Sequence, residues 1–136
     1  MQGQHPVILI AERDQTVREL QGFFLEKAGF AVEFADDGQA ALERARAARP
    51  ELVVTEILIP KLDGLALCRR LREDPLTRDV PVIVFSILSA AARAGEAGAD
   101  AFLRKPLVES VFVGAVQALV AGEPTEALEK RNRSVG

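Results

Sequence analysis

Residues 51–74 read ELVVTEILIPKLDGLALCRRLRED, and this stretch decides the fold. It opens on Leu52–Thr55, a short run built almost wholly of Leu and Val. A strict apolar–polar alternation would mark a strand with one wet face, whereas a continuous apolar run marks a strand buried on both. An amphipathic segment follows from Gly64 to Arg72, in which Leu67, Cys68 and Leu71 share one side of a helix. Strand, loop and helix in that order make half of a β–α–β unit, and Glu56 stands at the carboxyl end of its strand.

The same alternation continues in both directions. Strands are expected at Val7–Ala11, Ala31–Phe34, Val80–Phe85 and Ala99–Leu103. A first helix begins at Asp14, whose side chain can cap free backbone amides, buries Val17, Leu20, Phe24 and Ala28, and ends at Gly29. A second covers Gly38–Ala48 ahead of Pro50, and a fourth, rich in Ala, covers Ser89–Ala97. The fifth is expected to start near Pro106, a favoured first-turn residue, and to stop at Gly122. Five strand–helix units imply an α/β chain with a doubly wound parallel sheet covered by helices on both faces. Residues 1–122 are read as one domain, and the charged segment 123–136 as a mobile tail or linker.

Composition closes off several classes of function. The chain is 49% hydrophobic and 27% charged, the balance of a protein that folds in water. Its longest weakly polar stretch, Val111–Gly122, is shorter than the roughly 18–20 residues a bilayer span needs, and the amino terminus has no basic leader, so a cytoplasmic location is expected. Cys68 stands alone, which rules out a disulfide or a cysteine metal cluster within the chain; it reads as a core residue. His5, also alone and close to the terminus, is given no role. A net charge of −3 and the lack of Trp and Tyr argue against a nucleic-acid surface.

Ligands of a doubly wound sheet bind at the carboxyl ends of its strands. The first strand leads into Glu12, Arg13 and Asp14, the third into Glu56, the fourth into Ser86, and the fifth into Arg104, Lys105 and Pro106. That ordered set resembles the receiver domains of bacterial two-component response regulators. These carry two acids after strand one, an aspartate after strand three, Ser or Thr after strand four and Lys-Pro after strand five. The likeness covers about Val7 to Gly122, strongest in the stretch quoted above, with Pro60 and Asp63-Gly64 at the family's spacing from Glu56, and in "VPVIVFSI" and "AGADAFLRKP". It implies a flavodoxin-like (βα)5 fold with strand order 2-1-3-4-5.

The resemblance implies roles as well. In such receivers the acids hold a divalent cation, the third-strand aspartate accepts a phosphoryl group from a histidine kinase, and the hydroxyl and lysine bind the phosphate. Ser86 and Lys105 match. Glu12 and Glu56 are longer acids, and Arg13 is a cation where the second acid belongs. Two carboxylates opposed by two cations leave no excess negative charge to attract a hard ion, so Mg²⁺ binding is expected to be weak or absent and no metal or other cofactor is assigned. The extra methylene of Glu56 displaces its carboxylate by about an ångström, a shift able to cost roughly a hundredfold in rate. Ile87, branched where the family has a small residue, is expected to crowd phosphate access.

The expectation is therefore a degenerate receiver: a protein-interaction module rather than an enzyme, in which Glu56 pairs with Lys105 or Arg13. The alternatives are a working phosphoacceptor and an unrelated enzyme or flavin carrier; no Gly-rich phosphate loop or nucleophile elbow favours the latter. Phe102 falls at the family's switch aromatic. Val108, Val111 and Ala115 form a second apolar stripe on the fifth helix, beside the core stripe of Leu107, Phe112, Val116 and Leu119. That stripe is read either as extra packing or as a face for protein partners or a homodimer, together with the fifth strand.

Overall fold

A computed structural model describes residues 6–123. Five strands and five helices alternate: β1 Val7–Ala11, α1 Gln15–Lys27, β2 Ala31–Ala35, α2 Gly38–Ala48, β3 Leu52–Thr55, α3 Gly64–Glu73, β4 Val82–Ser86, α4 Ala91–Glu96, β5 Ala101–Arg104 and α5 Glu109–Val120. The strands form one parallel sheet in the order β2-β1-β3-β4-β5. After β1 the chain winds outward to β2, then returns to build β3, β4 and β5 on the other side. The change of direction between β1 and β3 opens a crevice at their carboxyl ends.

Alternate residues of the central strands supply two cores. Leu9, Ala11, Val53, Val82 and Val84 face α2, α3 and α4, where Leu42, Leu67, Cys68 and Leu71 meet them. Ile8, Ile10, Val54, Ile83 and Phe85 face α1 and α5, packing with Leu25, Phe112 and Val116. The continuous apolar runs read from the sequence thus serve a sheet covered on both sides. Asp14, Asp37 and Asp63 each accept a hydrogen bond from a backbone amide of the first turn of α1, α2 and α3, satisfying donors that a helix start leaves free. Among the described residues no helix is long and apolar enough to cross a membrane.

Several boundaries and faces differ from expectation. β4 begins at Val82 because Pro81 has no amide hydrogen for a ladder and the Val80 amide donates to Thr77 O. β5 begins at Ala101 because the amides of Gly98 and Ala99 close the end of α4. α5 starts at Glu109, not near Pro106: Val108 is still extended, and the first helical bond runs from the Phe112 amide to Val108 O. α1 is rotated about its axis relative to the expected face. It buries Gln21, Gly22 and Leu25, leaves Val17 half-buried and exposes Leu20.

The second stripe of α5 needs correction too. Ala115 is only 1% exposed, inside the α1–α5 core, so it belongs to no surface. Val111 is half-buried against the same core, and only Val108, 49% exposed, stands clear. His5 and, of the segment 123–136 read as a tail, all but Glu123 lie outside the described residues.

Candidate functional site

Four of the five strands deliver a side chain to one end of the sheet. Glu12 follows β1, Glu56 follows β3, Ser86 is the last residue of β4, and Lys105 follows β5. The backbone ties these ends together: the Glu56 amide donates to Ala11 O at 3.0 Å and the Lys105 amide to Ser86 O at 2.9 Å. Gly64, at the start of α3, lies so close behind that a Cβ there would stand 2.2 Å from Glu56 O. The position of Glu56 is therefore set by a contact that only glycine permits.

Its carboxylate is engaged at both oxygens. Oε1 accepts from the amides of Ile57 at 2.6 Å and Leu58 at 3.3 Å, and from the Ser86 hydroxyl by a short hydrogen bond. Oε2 faces Lys105 Nζ at 3.0 Å. Lys105 also meets Glu12, 3.1 Å from Oε1 and 3.2 Å from Oε2, and lies over the Phe85 ring. Glu12 Oε2 accepts the Asp14 amide at 3.1 Å as well. One ammonium thus serves two carboxylates that are 1% and 4% exposed.

The two acids respond differently to this shared partner. Burial raises the Glu12 carboxyl above its ordinary value; the Asp14 amide and Lys105 oppose this only in part. Burial pushes Glu56 upward too, but hydrogen bonds from Ser86 and Lys105 and the lysine's charge outweigh it and hold Glu56 low. Burial pulls Lys105 down, yet its hydrogen bonds to Glu56 and Glu12 prevail and raise it. At neutral pH the standing arrangement is a Glu56–Lys105 ion pair, with Glu12 as a second, less well compensated acid.

Of the two cations weighed for Glu56, Lys105 is therefore the partner. Arg13 is exposed, lines the mouth of the cleft and pairs with no carboxylate among the described residues. The cleft, about 320 Å³, is lined by Glu12, Arg13, Asp14, Glu56, Leu58 and Lys105. Ile87 is not in its wall; it is 60% exposed, and the apolar residue at the mouth is Leu58, which sequence reasoning passed over. Phe102, on β5, is half-buried and packs against the α2–α3–α4 core.

These residues fit a magnesium ion poorly. Mg²⁺ requires near-octahedral oxygen donors, whereas here both buried carboxylates already point at an ammonium and the third position is an outward-facing arginine. No cluster of three or more metal-ligating side chains occurs among the described residues.

Residues 8–117 match the family model for the response regulator receiver domain. The chain belongs to that family. It is 37% identical over 116 residues to the transcriptional regulatory protein CseB of Streptomyces avermitilis, covering 83% of this chain and 48% of that protein. It is 34% identical over 118 residues to the DNA-binding dual master transcriptional regulator RpaA of Synechocystis, covering 85% of this chain and 49% of that one. The chain thus spans about half the length of these curated relatives. Among solved structures, the receiver domain of a signal transduction histidine kinase from Syntrophus aciditrophicus superposes with a TM-score of 0.80 at 37% identity, covering 86% of this chain and 91% of that one. This receiver therefore has the flavodoxin-like fold and the two-component signalling context expected from its site motifs.

Proposed function

We propose that this receiver is a protein-interaction module with no catalytic turnover, set permanently in a phosphate-bound-like arrangement and not acting as a phosphoacceptor. One observation carries the reading: the Glu56 carboxylate lies between the Ser86 hydroxyl and the Lys105 ammonium, the two groups that in the family bind the phosphate. Oε1 accepts from three donors and Oε2 faces the Lys105 ammonium, so the negative charge of the carboxylate is spent on standing partners rather than offered to an incoming phosphorus. Without a metal to neutralise the transferring group, charge stabilisation of phosphoryl transfer is lost as well.

The output surface of this reading is the β5–α5 edge, narrowed to Phe102, Val108 and the half-buried Val111. A protein partner or a second copy would contact this chain there, with no role for nucleic acid or membrane. Where relatives are DNA-binding regulators by name, their matched half is the receiver, and control of an attached output segment belongs to the same proposal.

Incubation with acetyl phosphate and Mg²⁺, followed by intact-mass measurement, tests it. No phosphoryl adduct is expected on the native chain. An adduct that disappears in Glu56→Gln overturns the proposal. The pair Arg13→Asp with Glu56→Asp is expected to restore Mg²⁺ affinity, read by isothermal titration; continued failure to bind would refute the charge-based explanation.

A further inference from the structure

A groove of about 260 Å³ lies at the end of the sheet opposite the site, between the turn from α2 to β3 and the turn from α3 to β4. The second turn is braced from within. The Thr77 hydroxyl donates to Leu71 O, the Val80 amide to Thr77 O, and Arg72 to both Arg78 O and Val80 O. Pro75 and Pro81 hold their own φ fixed. On this rigid turn Leu76 stands 53% exposed, and with Pro75 and the half-buried Val80 and Pro81 it makes a continuous apolar wall. The rest of the lining is charged. Glu51, Asp79 and Arg49 are all exposed, and none of them forms an ion pair among the described residues, so the groove carries an excess of one negative charge.

The chain's own continuation starts at this end of the molecule. Each helix runs back from the carboxyl ends of the strands toward their amino ends, and Leu119, in the last turn of α5, shares a core with Leu52, the first residue of β3. The Glu123 amide donates to Ala118 O at 2.9 Å, and the sequence PTEALEKRNRSVG follows as residues 124–136. Leu128 is its largest apolar residue, and Glu129, Lys130 and Arg131 come directly after it. From Glu123 to Leu128 an extended chain reaches up to about 17 Å. That exceeds the diameter of the helix it must pass, about 10–12 Å.

We propose that residues 124–136 dock into this groove of their own chain, with Leu128 against Leu76 and the prolines. Lys130 and Arg131 meet Glu51 and Asp79, and Glu129 meets Arg49. Two acids and one base beside an apolar wall are thus matched by a leucine followed by one acid and two bases. The docked segment fixes the direction in which the chain leaves α5 through a contact with the α3–β4 turn. Because the groove and the cleft lie at opposite ends of the strands, the contact does not depend on the state of Glu56.

The test uses the full chain carrying a nitroxide spin label on Asn132→Cys, with Cys68 left in place because it is buried. The amide signals of Glu51, Leu76 and Asp79 are expected to broaden, while those around Glu12 and Glu56 keep their intensity. This broadening should be lost in Leu128→Asp and in Lys130→Glu with Arg131→Glu. It should return when the latter pair is combined with Glu51→Lys and Asp79→Lys, changes at exposed positions that leave the fold intact by circular dichroism. Broadening that is diffuse, that persists in the variants, or that the charge exchange does not restore would overturn the proposal. A mixture of isotope-enriched unlabelled chain with spin-labelled chain separates the remaining case. Equal broadening in that mixture would also overturn the proposal, since the groove would then hold a segment of a second copy.

Discussion

Replacing Lys105 by Met removes the single ammonium on which two buried carboxylates depend. Breaking a buried pair from one side costs about 3–5 kcal/mol, because it strands the partner charge. Losing two contacts of one lysine is not twice that, since the acids share a partner and are coupled. The lysine side chain is 17% exposed, which lets water take up part of the loss, so the expected destabilisation at pH 7 is about 3 kcal/mol. In a chain of 136 residues that lowers Tm by roughly 10–15 °C.

The effect has a defined pH dependence. Glu56 is held below its ordinary 4.5, so its contribution is present above 4.5 and lost as pH falls through the folded value. Lys105 is held above its ordinary 10.5, so its contribution is present below 10.5 and lost as pH rises through the folded value. In Lys105→Met, burial acts unopposed by the lysine, and both acids take up protons more readily as pH drops. The gap between native and variant chains should therefore be widest near neutrality and close toward both extremes. Urea unfolding at a series of pH values measures it. A difference below about 1 kcal/mol at pH 7, the value of a solvated surface pair, or one independent of pH, would refute the picture of a buried shared charge.

Other consequences follow from single contacts. Gln21 is fully buried, with neither amide atom hydrogen-bonded among the described residues; Gln21→Leu should stabilise by about 1–3 kcal/mol in urea unfolding, and a loss instead would mean the amide is served by a bound water. Gly64→Ala drives a methyl into Glu56 O and should cost more than about 1 kcal/mol in thermal unfolding; a neutral effect would show that the loop yields freely. Cys68 is buried and its thiol is pushed up to about 11 by burial, despite the nearby Arg72 charge. Native protein at pH 8 should consequently react with a disulfide reagent only as fast as it unfolds, and rapid labelling would contradict this burial.

The strand sequence made the sheet legible because Leu52–Thr55 and its counterparts are apolar on both faces, and the site was legible because parallel strands all end on one side. What escaped was direction. On α1, apolar residues occupy positions 17, 20, 23, 24, 25 and 28, an arc too broad for periodicity to pick one inward line. The deciding feature was Gly22, whose missing side chain lets Phe34 approach. α5 is apolar around most of its circumference, so the sequence could not show that Ala115 points inward while Val108 does not. At the site, a count of charges weighed Arg13 equally with Lys105. Only the fold reveals that one reaches inward from β5 while the other faces water. Arg72 gave no signal either, although it clamps the β4 and β5 entrances through Val80 O, Gly98 O and Asp100.

The shared lysine also constrains how such a domain can change by mutation. Glu12, Glu56 and Lys105 satisfy one another as a set, so returning position 56 alone to aspartate shortens one arm and leaves Lys105 held by Glu12. A change at position 13 alone adds an acid beside an ammonium already occupied. Neither single change completes an acidic pocket: the first loosens the pair with Lys105, and the second leaves that pair standing. On the proposal made above, a switchable pocket needs both positions changed together, since Lys105 stays engaged with a glutamate after either change alone.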